Sequence, residues 1–142
     1  MRTTVDPPTD PSAYPFVHAV RVRFAETDAM AVVHHAAYLP YLEEARVAYL
    51  RSVDHPYTVL REDHVELPVV EVGVRYLRPL RFDDVVDVHL RPAEVRGATF
   101  QLAYLLTVDG EPRATAVTVH GVLVGGRPGR APAWLRALVD GA

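Results

Sequence analysis

RVRFAETDAMAVVHHAAYLPYLEEARVAYLR, residues Arg21–Arg51, changes its hydrophobic period part-way through, and that change decides the fold. Around its start, over Ala19–Phe24, Val20, Val22 and Phe24 alternate with Arg21 and Arg23, the period-two pattern of a half-buried strand. A polar loop follows, Ala25-Glu26-Thr27-Asp28. From about Ala36 to Val53 most positions hold good helix formers. Tyr38, Leu42, Ala45 and Tyr49 recur there at the spacing of one helix face. Leu39, Leu50 and Val53 carry apolar character around the cylinder, so this helix is expected to be largely buried. Pro40 would cost about 3 kcal/mol inside a helix but little in its first turn. The regular helix is therefore expected to begin close to Pro40, after an irregular turn at residues 35–39.

Downstream, after a loop around His55–His64, the period returns to two. Val70, Val72, Val74 and Tyr76 alternate with Glu71, Gly73 and Arg75, and Val86, Val88 and Leu90 alternate with Asp87, His89 and Arg91. Phe100, Leu102, Tyr104, Leu106 and Val108 mark a further strand, and Asp109-Gly110 behind it is a hairpin signal. Thr115–Val124 reads as the returning strand, with Val117, Val119 and Leu123 on one face. Pro132–Leu138 reads as a short closing helix. Upstream, Pro7, Pro8, Pro11 and Pro15 among Thr, Ser and Asp predict a disordered or extended lead-in over residues 1–17. Segregated helix and strands predict a single α+β domain over residues 18–142. Its antiparallel sheet, of about five strands, would curl around one long central helix.

Composition narrows the chemistry. With 142 residues, 49% apolar and 23% charged, the chain has the make-up of one soluble globular domain. A formal net charge of −3 provides no basic field for nucleic acid. Cysteine is absent, which excludes disulfides, a thiol nucleophile and cysteine metal sites, and fits a cytoplasmic address. All 15 basic residues are arginine, so Schiff-base chemistry on lysine is excluded too. No apolar run approaches the ~18 residues of a membrane span, and the first residues lack the apolar stretch of a signal peptide.

The candidate chemistry sits in Asp28, a carboxylate in the loop ahead of the helix. A helix N-terminus offers unpaired N–H groups and a partial positive charge that can polarise a carbonyl or hold an oxyanion. A carboxylate facing such donors across a thioester carbonyl is a minimal acyl-transfer site. The same residue in the same place can instead be a simple N-cap, and spacing alone does not choose.

Thr27-Asp28-Ala29-Met30-Ala31-Val32-Val33-His34-His35-Ala36-Ala37-Tyr38, followed by Tyr41-Leu42-Glu43-Glu44-Ala45-Arg46, resembles the signature of 4-hydroxybenzoyl-CoA thioesterase-like proteins of the hot-dog fold. That family includes short-chain acyl-CoA thioesterases associated with the Tol–Pal system. Val72–Asp84, VGVRYLRPLRFDD, resembles the central strand and turn of the same fold, and together the two stretches span most of residues 19–125. The resemblance implies hydrolysis of an acyl thioester carried by coenzyme A or an acyl carrier protein. It assigns Asp28 as nucleophile or general base and the His35 backbone amide as the group polarising the carbonyl. Tyr38 and Glu43 match helix positions that support the substrate site. It further implies no metal or other cofactor, and a homodimer or homotetramer with sites at the subunit interface. Three positions depart from the pattern: Ala31 stands where relatives usually carry glycine, His34 where an aromatic residue is common, and Ala37 where a polar residue is common.

Other residues admit simpler roles. Arg75, Arg78 and Arg81 form a basic cluster that is either a solvated face or a set of contacts for coenzyme A phosphates. His34 and His35, expected to diverge at a helix start, lack the spacing of a metal site. Glu43, Glu44 and Arg46 stand near surface-pair spacing, which is the reading for Glu44. His18, His89 and His120 have no evident partner in sequence. Two rival functions share the fold. One is a non-catalytic acyl-thioester binding subunit. The other is an enoyl-thioester hydratase, disfavoured because Val33 stands where such proteins carry a histidine.

Overall fold

The structure, a computed structural model, describes residues 3–141; residues 1, 2 and 142 of the expected lead-in and domain lie outside the described residues. In chain order it contains β1 (Phe16–Arg21), α1 (Tyr38–Ser52), α2 (Tyr57–Glu62), β2 (Val65–Glu66), β3 (Val69–Tyr76) and β4 (Val85–Arg96). These are followed by β5 (Thr99–Val108), β6 (Glu111–Gly121), β7 (Leu123–Val124), β8 (Arg127–Pro128) and α3 (Ala133–Asp140). The main sheet has five strands in the order β1-β4-β5-β6-β3, each pair antiparallel, and β2-β7-β8 form a small second sheet. The arrangement is the hot-dog fold: one long helix lying against a curled antiparallel sheet. No helix of the described residues is long and apolar enough to cross a membrane.

The core lies between α1 and the sheet. Tyr38, Leu42, Ala45 and Tyr49, the expected helix stripe, are all buried, as are Val86, Val88, Leu90, Leu102, Tyr104 and Leu106 from β4 and β5. Burying side chains of this size contributes roughly 1.5–3 kcal/mol each. The helix begins at Tyr38 behind a single 3₁₀ turn, His35–Ala37, which leaves Pro40 in its first turn. Only one side of it is covered, however, and Leu39, Pro40, Glu43 and Glu44 stay exposed.

Two further expectations need correction. The first strand spans Phe16–Arg21 rather than Ala19–Phe24, because the Glu26 carboxylate accepts from the Arg23 amide and curls the chain into a 3₁₀ turn. Phe24 is thereby thrown out to 75% exposure and packs edge-on against Phe82. The expected loop at 55–64 contains α2, which starts just after Pro56. β3 is an edge strand, and its Val70, Val72 and Tyr76 are exposed. On β6 the residues facing α1 are Ala114, Ala116, Thr118 and His120, while Val117 points to the opposite face. Small inward side chains there leave room for the buried Tyr104 ring.

The lead-in has a definite path in the structure. Residues 3–14 cross the outer face of the sheet, with the Thr3 amide donating to Glu71 and the Thr4 amide donating to Gln101, both at 3.1 Å. Tyr14 is buried against Ala103 and Leu105 and donates to the Pro8 carbonyl at 2.7 Å. This strap and α1 sandwich β5, whose residues Phe100–Val108 are all buried.

Candidate active site

The Asp28 loop is a tight hairpin pinned at both ends. Thr27 and Val33 form a β-bridge, the Asp28 amide donates to the Val32 carbonyl at 2.9 Å, and the Ala31 amide donates to the Asp28 carbonyl at 2.9 Å. Closing so short a loop drives Ala31 to φ 61, the left-handed region that favours glycine. Asp28 is half-buried, and its Oδ1 accepts from the Met30 amide at 2.9 Å. Its Oδ2 has no partner among the described residues, so one oxygen orients the carboxylate and the other is free.

Glu26 fastens this hairpin to the helix. Its carboxylate accepts from Tyr41 Oη at 2.6 Å and from the Arg23 amide at 2.8 Å, while its carbonyl accepts from the His34 amide at 2.8 Å. Burial raises the Glu26 carboxyl, but the bonds from Tyr41 and Arg23 outweigh it and hold the group below the usual carboxylate range. Tyr41 is pushed up in turn, by burial and by the adjacent carboxylate.

The capping alternative for Asp28 is not what the chain adopts. His34 is the N-cap of the 3₁₀ turn, its Nδ1 accepting from the Ala36 amide at 3.1 Å. Rather than diverging, the His34 and His35 rings stack with centroids 4.1 Å apart. His35 opens the turn, where no intrahelical carbonyl can reach its amide. Among the described residues that N–H makes no hydrogen bond, while the amides of His34, Ala36 and Ala37 are all engaged. The His35 carbonyl accepts from Tyr76 Oη at 3.0 Å, and Tyr76 meets Tyr38 edge-on at 4.8 Å. His35, Tyr38, Tyr76 and Arg78 line one cavity of about 270 Å³ between the start of α1 and the end of β3.

The remaining candidates are dispersed. Arg78 pairs with Glu111 at 3.2 Å on the rim of that cavity. Glu43 lies two turns along α1, beside a neighbouring groove. Arg75 falls on the opposite face of the sheet, beneath the strap with Thr3 and Asp6, and the sheet separates it from His35 and Tyr38. Among the described residues no group of three or more His, Asp or Glu side chains is placed to hold a metal ion.

A polar chain inside the core has no counterpart in the sequence patterns. Arg46, 8% exposed, donates through Nε to Tyr57 Oη at 3.1 Å and through Nη1 to Tyr104 Oη at 3.4 Å. Tyr104 Oη meets Thr118 Oγ1 at 2.8 Å, and Thr118 Oγ1 meets His120 Nε2 at 2.8 Å. His120 Nδ1 lies 3.0 Å from the Leu67 carbonyl. Arginine can only donate and a carbonyl can only accept, so every proton points the same way along the chain. His120 is therefore the neutral Nδ1–H tautomer, and burial lowers its pKa to about 4. In sequence, Arg46 stands at surface-pair spacing and His120 in a strand pattern; only the inward face of β6 reveals them.

The sequence profile of the thioesterase-like superfamily matches residues 22–139. The chain belongs to that superfamily. Among solved structures, this thioesterase-like chain is similar to a protein of Thermus thermophilus (TT1821). The identity is 40% and the TM-score 0.81, over 87% of this chain and 97% of that one. A thioesterase from the same species, solved with coenzyme A and zinc, is 30% identical with a TM-score of 0.77, over 90% of this chain and 93% of that one. An acyl-CoA thioesterase of Haemophilus influenzae, YbgC, is 38% identical over 59% of this chain and 62% of its own length.

Proposed function

We propose that the chain hydrolyses acyl-CoA thioesters, with the Asp28 carboxylate and the His35 amide as its reacting groups. The observation that carries this reading is the N–H of His35, unbonded among the described residues, on a residue that lines a cavity with Tyr38 and Tyr76. Seven residues upstream, Asp28 has one oxygen tied and one free. The thioester carbonyl would accept from the His35 amide, a contact typically worth about 2.7–4 kcal/mol once the oxyanion develops. Asp28 would then either attack the carbonyl carbon or take a proton from water that attacks it. Either way water is consumed, the C–S bond breaks, and a carboxylic acid and the free thiol of coenzyme A leave.

Coenzyme A as the carrier is supported by the names of the relatives; an acyl carrier protein is the second carrier to test. Tyr38 would shape the cavity, and Arg78 on its rim is the remaining arginine placed to meet a phosphate. Arg75 has no part in this reading. A homodimer is supported by the exposed edge of β3, where Val69, Val70, Val72, Tyr76 and Leu77 lie open beside the cavity. The proposed setting is the cytoplasm, in keeping with a chain free of cysteine.

The test is thiol release from short, long and aromatic acyl-CoAs by wild type and Asp28→Asn. Loss of about 10²–10⁴-fold in the variant is expected for a group acting as base or nucleophile. Full activity in Asp28→Asn would refute the assignment, and tight binding without turnover in wild type would favour the binding-subunit alternative.

A further inference from the structure

Besides the His35 cavity, the seam between α1 and β3 carries a second, separately lined opening of about 300 Å³. Leu39, Leu42, Val69 and Val72 make its walls apolar, and the buried Arg46 is part of its lining. Both openings belong to the same seam: Tyr76 meets the helix start at Tyr38, and Val69, towards the other end of β3, shares the second opening with Arg46.

Arg46 is the unusual member. It is buried, its Nε and Nη1 donate to two phenols, and its Nη2 makes no hydrogen bond among the described residues. No carboxylate pairs with it there either. Glu43 lines the same opening, but it is exposed and makes no ion pair with the guanidinium. Burial works against the charge of Arg46 and the two phenols favour it, but neither phenol brings it an opposite charge. Its natural complement is an anion brought in by the ligand, since the planar guanidinium edge matches a carboxylate.

We propose that the acyl group taken by this site has an apolar body and ends in a carboxylate that the free edge of Arg46 receives. This rests on the acyl-thioester reading above. Eleven residues separate His35 from Arg46, about 16 Å along a helix, and the arginine side chain leans back by roughly one 5.4 Å turn. About 11 Å remains between the two groups; the seven carbon–carbon bonds of an octanedioyl chain advance about 9 Å at about 1.3 Å each, and the hydrogen bonds at its two ends make up the rest.

Octanoyl-CoA and octanedioyl-CoA are matched in length and differ only at the far end, CH₃ against COO⁻. Wild type should show kcat/KM for octanedioyl-CoA at least about tenfold above that for octanoyl-CoA, the size of a charge-assisted hydrogen bond. In Arg46→Met, checked for native fold by circular dichroism, the ratio should fall below one. A wild-type preference for octanoyl-CoA, or an unchanged ratio in Arg46→Met, would overturn the proposal. Calorimetric binding of the same pair to Asp28→Asn reads the preference without turnover. Absent hydrolysis would then sink the proposed activity alone, whereas equal Kd values would sink the carboxylate reading.

Discussion

Acidification should unfold this protein partly through one buried imidazole. His120 has no solvent exposure and a pKa lowered by burial to about 4, against the ordinary value of 6.5. Protonation would put a hydrogen on Nε2, facing Thr118 Oγ1, which now donates to that nitrogen. The Thr118 proton would have to turn toward Tyr104 Oη, which already accepts from Arg46, and the Tyr104 proton would lose its acceptor. The unfolded chain therefore binds the proton more readily than the folded one. The stabilisation is complete above about pH 6.5 and is lost as the pH falls toward 4. A difference of about 2.5 pKa units corresponds to about 3 kcal/mol in full, of which roughly 2–3 kcal/mol is lost between about pH 7.5 and 4.5. Urea unfolding at the two pH values measures the total loss. The non-titrating His120→Asn should lose less by that amount, although it starts from lower stability. An NMR titration placing His120 near 6.5, or equal acid sensitivity in the two proteins, would refute the reasoning.

Two further outcomes follow from the Asp28 hairpin. Ala31→Gly should stabilise the fold, because relief of about 1–2 kcal/mol of left-handed strain exceeds the 0.4–1 kcal/mol of added unfolded-state entropy. The expected gain is about 0.5–1 kcal/mol, read as a rise of a few degrees in Tm; a fall would show that position 31 is unstrained. Tyr41→Phe removes a charge-assisted bond to Glu26 and should cost about 1.5–3 kcal/mol in urea unfolding. Because Glu26 ties the hairpin to α1, kcat/KM should fall as well, and an unchanged kcat/KM would show that the Asp28 loop holds its geometry without this tie.

Period and punctuation made the architecture legible. Tyr38, Leu42, Ala45 and Tyr49 form the buried stripe as their spacing required, and Pro40 falls in the first turn as its missing N–H demands. Phe24 misled because strand period was extended through a residue pair, Arg23 and Glu26, that closes a turn instead. The alternation through Val72 and Tyr76 reports which residues share a face and not whether anything covers it, and both are exposed. For the candidate site, the motif resemblance singled out Asp28 and His35, and the structure gives the capping role to His34. Arg46 and His120 were not. Their significance lies in a hydrogen-bonded chain joining α1, β5 and β6, and no local pattern announces partners so far apart in sequence.

The strap over the outer sheet face bears on how copies of the chain can meet. Tyr14 and its neighbours occupy Ala103 and Leu105 from within the same molecule, at the high effective concentration of a tethered segment. A second copy would have to displace them before two sheets could stack. The profile of the superfamily begins at residue 22, so this tether lies outside the matched region. Four of the exposed apolar residues, Leu39, Val69, Val72 and Tyr76, lie along the α1–β3 seam on the other side of the sheet. In the homodimer proposed above, a partner meeting the chain at this seam would lie over both cavities, tying assembly and ligand access to the same surface.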